Sequence, residues 1–387
     1  MCSTVYYNDL VMSSGHLPVN AHETNERLTN LDILRGIAAL MVCLSHAPFF
    51  LTANGEGASW LAIPALGVGV DLFFSISGFV VALSLHKLHR QSGDFGRAAG
   101  AFYLRRLGRI VPLAWSMPVV MALIAIIIPH SLLSTILPWA DLVSAATFTA
   151  NGHFGRCFAG ALGCGSGNLL HHTWSLALEM QFYLVAPVLF LIPIRILRGV
   201  TLVVLFIGVF FLRPWQTSLA WAFRIEAMLL GFWIGREWLT RPEWRWPRHV
   251  PALKWPELIG LLTVMALLPR VMTGALSGMG IVSVAALAGW IVVRSVLPPD
   301  LVPHAAASRL GRNLGAWSYA IYLIHPPVMI AIGWSGLAGV IGFAGALALS
   351  MLVVIIASCW LTRAIGDPAY RAARDFADHY LLKERPA

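Results

Sequence analysis

Apolar residues fill ten long segments of the chain, and polar residues gather in the short stretches between them. A helix of about 20 apolar residues crosses a hydrocarbon core of about 30 Å. The pattern therefore predicts an all-α, polytopic membrane protein with about ten transmembrane helices. These segments lie at approximately 31–51, 64–86, 108–129, 173–193, 199–213, 217–238, 257–270, 276–295, 315–333 and 337–360.

Basic residues predict the orientation of these helices, because Lys and Arg concentrate in cytoplasmic loops. With the N-terminus placed in the cytoplasm, all but four of the 27 Lys and Arg fall on the inner side. The four on or near the outer side are Arg156, Arg213, Arg224 and Arg270. We therefore expect both termini in the cytoplasm and a multi-pass protein of a bacterial inner membrane.

The composition supports three divisions of the chain. The chain is 58% hydrophobic and only 12% charged, which excludes a large soluble domain. We expect a polar cytoplasmic segment over 1–30, a transmembrane domain over 31–361 and a cytoplasmic C-terminal tail over 362–387. Residues 1–30 lack the apolar stretch of a cleavable signal peptide. Topology accounts for the net charge of +9, so no nucleic acid partner is expected.

The outer segment between the third and fourth apolar spans carries two further features. Residues 132–150 are apolar but broken by Pro138 and Asp141, which favours an interfacial or re-entrant segment. Cys157 and Cys164 follow, and an oxidising compartment would allow them to pair. They are equally well two small residues of a Gly-rich loop. The five cysteines form no CxxC motif, so neither a metal site nor a redox dithiol is predicted.

Two ionisable residues share one face of the first helix. Arg35 and His46 are eleven residues apart, which places them within about 20° of one another and roughly 16 Å apart along the axis. Ionisable residues at membrane depth usually mark functional sites. The spacing suggests the two ends of one transmembrane path, with a cation near the inner surface and an imidazole in the outer half.

Three other ionisable residues are expected at the depth of His46. Asp71 lies near the outer end of the second span, Glu179 near that of the fourth and His325 near that of the ninth. A His46–Asp71 pair would fix the imidazole tautomer and leave one ring nitrogen as a base. The alternative is a buried ion pair that only joins two helices.

Aromatic and basic side chains accompany these residues. Arg106 and Arg109 share a face at the start of the third span, and guanidinium groups suit phosphate. Such arginines also set topology or contact lipid head groups, which leaves their role open. Side chains that would contact a substrate are Trp174, Tyr183, Tyr322 and His325. An interfacial aromatic belt would equally explain Trp60, Trp139 and Trp174.

Five motifs, in order, resemble those of the integral-membrane acyltransferase 3 family. "LDILRGIAALMVCLSH" resembles its first-helix signature, in which ten residues separate an Arg or Lys from a His. "GVDLFFSISGF", "RRLGRIVP", "TWSLALEMQFYLVAP" and "SYAIYLIHPP" resemble its later motifs. Together they cover residues 31 to about 327. The chain resembles the stand-alone form, without the fused extracytoplasmic domain that many members carry.

The resemblance implies transfer of an acyl group, usually acetyl, from acyl-CoA to a hydroxyl, often on a sugar. It implies that His46 is the essential base and that Arg35, Arg106 and Arg109 bind the donor. Asp71 and Glu179 match motif positions and are our further candidates for catalytic residues. Expected partners are membrane lipid and a carbohydrate-containing acceptor, and no metal is expected. The alternative function is a proton-coupled secondary transporter, since intramembrane His, Asp and Glu also serve proton relays.

Overall fold

The computed structural model describes residues 21–51, 65–127, 138–158, 160, 169–210, 222–240, 253–297, 301 and 305–382. These residues form helices, turns and connecting segments, and no strand occurs among them. The helices are α1 Ala21–Leu51, α2 Gly69–Ser92, α3 Phe95–Ile127, α4 Trp139–Ala146, α5 Ala150–Phe158, α6 Thr173–Leu191, α7 Ile194–Phe210, α8 Glu226–Thr240, α9 Trp255–Val271, α10 Ser277–Ser295, α11 Ala305–Trp334, α12 Leu337–Leu361 and α13 Asp367–Ala377.

The all-helical prediction is confirmed, and each predicted apolar span overlaps one helix. Among the described residues, six helical segments are long and apolar enough to cross a membrane. The count of ten crossings, the three divisions of the chain and the cytoplasmic location of the termini stay predictions. The six segments are Thr29–Leu51, Leu66–Ser92, Thr173–Leu191, Gly274–Ser295, Arg309–Trp334 and Leu337–Leu382.

Glycines allow α1 and α11 to lie in close contact along most of their length. A Cβ added at Gly315 would lie 2.2 Å from the Asp32 carbonyl oxygen, and one at Gly333 would lie 2.2 Å from that of Phe50. Small residues permit such approaches between membrane helices. The two helices therefore run parallel with matched spacing, which brings the last turns of α1 beside the "IHPP" segment of α11.

Helices α2 and α8 form a second close pair. A Cβ at Gly78 would lie 2.0 Å from the Met228 carbonyl oxygen, and one at Gly231 would lie 2.0 Å from that of Ser75. Each position requires glycine because the neighbouring backbone occupies the space of a side chain. The pair brings the residues that precede α8 beside the start of α2.

The chain beyond α12 continues as helix. A π-helical turn, Thr362–Gly366, leads into α13, which packs along the first half of α3. A Cβ at Gly108 would lie 2.3 Å from the Ala373 Cβ, so this contact is also close. A second π-helical turn, Asp378–Leu382, follows α13. Residues 362–382, expected as a tail, thus cover one face of α3.

Candidate active site

Four histidines meet near the C-terminal end of α1, and we name them the histidine cluster. The Nδ1 atom of His46 lies 2.8 Å from the Nε2 atom of His325, and the two ring planes are inclined by only 19°. His171 packs edge-on against His46, and His172 packs against His325. His325 is completely buried, whereas His46 is partly exposed. The close packing of α1 against α11 produces this arrangement.

The expected His46–Asp71 pair is wrong. Asp71 instead forms an ion pair with Arg224, with 3.4 Å between Oδ2 and Nη1. The reason is the depth at which α2 begins: a Cβ at Gly69 would lie 2.6 Å from the Ala38 carbonyl oxygen. Eight residues, or about 12 Å of helix, separate Ala38 from His46. Asp71 therefore lies well below the histidine cluster, towards the level of Arg35.

Arg224 is a buried residue that the sequence analysis placed only among the outer arginines. Its side chain is 2% exposed, and its guanidinium lies 5.2 Å from the Trp174 ring centroid. Glu226 is equally buried, and the charges of Arg224 and Glu226 both act on Asp71. We name Asp71, Arg224 and Glu226 the charged cluster. The signal in the sequence was an Arg and a Glu two residues apart inside the predicted apolar span 217–238.

Glu179 also lies away from the histidine cluster. Its Oε1 atom accepts hydrogen bonds from the Ser77 hydroxyl at 2.6 Å and the Tyr183 hydroxyl at 2.5 Å. The expectation that Asp71, Glu179 and His325 share one depth with His46 holds only for His325. Glu179 joins α2 to α6 and places the Tyr183 ring against the third helix.

The arginines of the third helix separate into two kinds. Arg105 forms an ion pair with Asp378 on the turn that follows α13. Arg106 points the other way, with its guanidinium 5.1 Å from the Tyr183 ring centroid and 5.5 Å from that of Phe102. Within the described part of the chain, Arg106 has no carboxylate partner. Its positive charge is therefore available to an anion.

Two other arginines belong to the same end of the molecule. Arg35 is 7% exposed, and its guanidinium lies 5.1 Å from the Phe73 ring centroid. The charge of Arg109 acts on the Tyr183 and Tyr319 hydroxyls, so it lies near Glu179 as well. We name Arg35, Arg106 and Arg109 the arginine cluster.

A small cavity lies between the arginine cluster and the histidine cluster. Its volume is about 20 Å³, which is room for about one water molecule. Because Ala38 and Val42 line it, the cavity occupies the stretch of α1 between Arg35 and His46. Its polar lining consists of Ser175, Glu179, Tyr319 and Tyr322, and its apolar lining includes Phe73 and Phe74.

The residues predicted to contact a substrate all lie inside the bundle. The Tyr322 hydroxyl donates to the His172 carbonyl oxygen at 2.8 Å and lies 2.5 Å from the Ser175 hydroxyl. Trp174 is buried beneath Arg224, whereas Trp139 is 66% exposed. Trp60 lies outside the described residues. Contact of Trp174, Tyr183, Tyr322 or His325 with a substrate stays a prediction.

Comparison with known sequences decides the family. A sequence model of the acyltransferase 3 family, described as an acyltransferase domain, matches residues 28–363. The chain belongs to this family. It is a membrane O-acyltransferase, and the resemblance of the five motifs is confirmed.

Several relatives carry acyltransferase names. Acyltransferase MdmB of Streptomyces mycarofaciens is 30% identical over 89% of this chain and 92% of its own length. The putative membrane-bound transacylase BcsY of Komagataeibacter xylinus is 26% identical over 89% of this chain and 85% of its own. The peptidoglycan O-acetyltransferase OatA of Listeria monocytogenes is 26% identical over 43% of this chain and 24% of its own. No solved structure matches the chain.

The segment between α3 and α6 packs against the middle of α6 in this acyltransferase. Gln181, on the third turn of α6, exchanges hydrogen bonds of 2.8 and 3.0 Å with Asn151 and donates to the Phe148 carbonyl oxygen at 3.1 Å. That residues 132–150 form an interfacial or re-entrant segment stays a prediction. Cys157 is disulfide-bonded. Cys164 lies outside the described residues, so the expected pair stays open.

Proposed function

We propose that this acyltransferase moves an acyl group, in the first instance acetyl, from acyl-CoA to a hydroxyl of a sugar-containing acceptor. The observation that carries the donor assignment is the contrast between two adjacent arginines. Asp378 neutralises Arg105, whereas Arg106 lies on two aromatic rings without an acid partner among the described residues. Guanidinium groups bind phosphate bidentately and stay charged.

The cavity supports a path from the arginine cluster to the histidine cluster. A donor held by its phosphates at Arg35, Arg106 and Arg109 would extend its thioester along α1 towards His46. The cavity has room for about one water molecule, so helices α1, α2, α6 and α11 would have to separate slightly around a bound donor. The hydroxyls of Ser175 and Tyr322 would line its route.

The chemistry requires one base that later acts as an acid. His46 would take the proton of the acceptor hydroxyl, and the oxygen would attack the thioester carbonyl. The carbon–sulfur bond then breaks, and His46 returns the proton to the departing thiolate. A variant of this mechanism first forms an acyl-His46, which then transfers the group to the acceptor. Rapid quenching of a single turnover with labelled acetyl-CoA, followed by mass spectrometry of the His46 peptide, distinguishes the two.

The acceptor class is supported by the relatives rather than by a residue. OatA of Listeria monocytogenes is named as a peptidoglycan O-acetyltransferase, which makes an envelope glycan one candidate. A glycosylated metabolite is the other. Transfer of labelled acetyl into each acceptor class in host membranes would choose between them.

Donor binding is tested without knowledge of the acceptor. The purified chain should show saturable thermal stabilisation by acetyl-CoA, weakened by Arg106→Ala with Arg109→Ala and also by the use of 3′-dephospho-CoA. The matched control is Arg371→Ala with Arg374→Ala, two arginines three residues apart on α13. If acetyl-CoA stabilised both double variants equally, Arg106 and Arg109 would not bind the donor and would serve only to set the topology. No stabilisation of the folded wild type would point to another donor or to transport.

A further inference from the structure

The two prolines after His325 leave two backbone carbonyls without their usual helical partners. In an α-helix the N–H of residue i donates to the carbonyl of residue i−4, and proline has no N–H. Pro326 therefore leaves the carbonyl of Tyr322 free of that bond, and Pro327 does the same for Leu323.

Histidine side chains take the places of both missing donors. The Nδ1 atom of His325 lies 2.8 Å from the Tyr322 carbonyl oxygen and 3.3 Å from that of Ile321. The Nε2 atom of His172 lies 3.1 Å from the Leu323 carbonyl oxygen. A carbonyl oxygen only accepts, so the ring nitrogen carries the proton in each case.

This assignment determines the proton positions of the next ring. His325 is completely buried, which disfavours a charged ring, and a neutral imidazole carries one N–H. His325 has that N–H on Nδ1, so its Nε2 is an acceptor. The contact of 2.8 Å between His325 Nε2 and His46 Nδ1 then requires that His46 donates. The Nε2 atom of His46 keeps its lone pair, on a ring that is partly exposed.

We propose that His325 and Pro326 are positioning residues that hold His46 in the tautomer with Nδ1 protonated and Nε2 available as the base. His325 does so by accepting a hydrogen bond from the Nδ1–H of His46, and Pro326 by leaving the Tyr322 carbonyl open for His325. The catalytic meaning of this inference rests on the proposed function, but the tautomer itself does not. The sequence pattern favoured Asp71 for the orienting role, but the Asp71 carboxylate pairs with Arg224 instead.

Among the residues that the structure describes, no acid contacts the His46 ring in a way that would replace this arrangement. The rings in contact with His46 are those of Phe50, His171 and His325. His172 contacts His325 from the other side. Among the described residues, His46 forms no ion pair.

The test reads the tautomers directly. The full chain, labelled with [15N]histidine in detergent, gives nitrogen shifts that distinguish protonated from unprotonated ring nitrogens, and His46→Ala assigns the His46 signals. We expect the wild type to show His46 protonated at Nδ1. His325→Leu should invert the ratio of the two tautomers, because an isolated imidazole prefers the Nε2 proton. His325→Gln should preserve the wild-type state, since its amide both accepts from His46 and donates to Tyr322.

Two further variants keep the proposal falsifiable if His325→Leu does not fold. Pro326→Ala restores a backbone N–H that competes for the Tyr322 carbonyl, so it should mix the tautomers of both His325 and His46. His379→Gln, on the exposed turn after α13, should leave the His46 signals unchanged. A wild-type His46 protonated at Nε2, or a His46 tautomer indifferent to both His325→Leu and Pro326→Ala, would overturn the proposal. Neither result depends on the identity of donor or acceptor.

Discussion

The histidine cluster and the charged cluster are both buried polar groups in an apolar bundle, yet they differ in what they leave available. In the charged cluster, Asp71 and Arg224 compensate one another and both are almost completely buried. In the histidine cluster, the described contacts occupy one nitrogen of His46 and leave the other on a partly exposed ring. Burial of an ionisable residue therefore does not itself mark catalysis. Under the proposed mechanism, the nitrogen of His46 that the described contacts leave unoccupied is what distinguishes a candidate base from a buried ion pair.

The largest expected effect follows from removal of the base. His46→Ala should lower acetyl transfer from acetyl-CoA to host-membrane acceptors by about 10³-fold or more, because general base catalysis is lost. The Tm should change little, since the imidazole forms one hydrogen bond to the protein. His379→Ala is the matched control. Normal acetyl transfer by His46→Ala would mean that the histidine cluster, like the charged cluster, has a structural role only.

The charged cluster should respond through stability instead. Arg224→Met should lower the free energy of unfolding by about 3–5 kcal/mol, because it strands buried carboxylates. Asp71→Asn should have a smaller effect, since it removes one carboxylate but leaves Glu226, the second acid of the charged cluster. Thermal unfolding in detergent measures both losses of stability. The double variant Asp71→Leu/Arg224→Met should lose less free energy of unfolding than the two single variants lose together. If Asp71→Asn abolished transfer at unchanged Tm, Asp71 would be catalytic, as the sequence first indicated.

The smallest expected effect concerns the arginine cluster. Arg106→Lys keeps the charge but loses the planar group that stacks on Tyr183 and Phe102. A loss of about 1 kcal/mol, or roughly fivefold in the acetyl-CoA dissociation constant, is expected with an unchanged Tm. Arg371→Lys on α13 should change neither quantity. A donor affinity unaffected by Arg106→Lys would mean that charge alone is sufficient at this position.

Much of the secondary structure was predictable from hydropathy. Where the predicted apolar spans and the observed helices differ in extent, the difference has a physical cause. The third span was predicted from 108, whereas α3 begins at Phe95. The first turns of α3 are too polar to be counted as part of an apolar span. They are nevertheless helical, with α13 packed along them and Asp378 paired with Arg105. The same contact with distant residues explains why 362–382 was expected as a tail.

The candidate site was predicted in part. Membership of His46 and His325 in one cluster followed from their similar distance to the helix ends. The predicted His46–Asp71 pair was wrong because it assumed that the C-terminal end of α1 and the start of α2 lie at the same depth. Glycine-mediated contacts at Gly69 set a different offset, and a helical pattern carries no information about axial offset. The role of Arg224 was missed because its partner, Asp71, lies on another helix, and the sequence pattern does not show which helices meet.

The sequence by itself determined the helical class, the membrane environment and the family, because these depend on composition and local order. It also contained the "HPP" segment, whose missing N–H groups are a local property of proline. Only the tertiary structure decided which residues face one another, that His46 contacts His325 and that Asp71 contacts Arg224. The physical reason is that helix register is set by close backbone contacts between segments far apart in the chain, which no local pattern encodes.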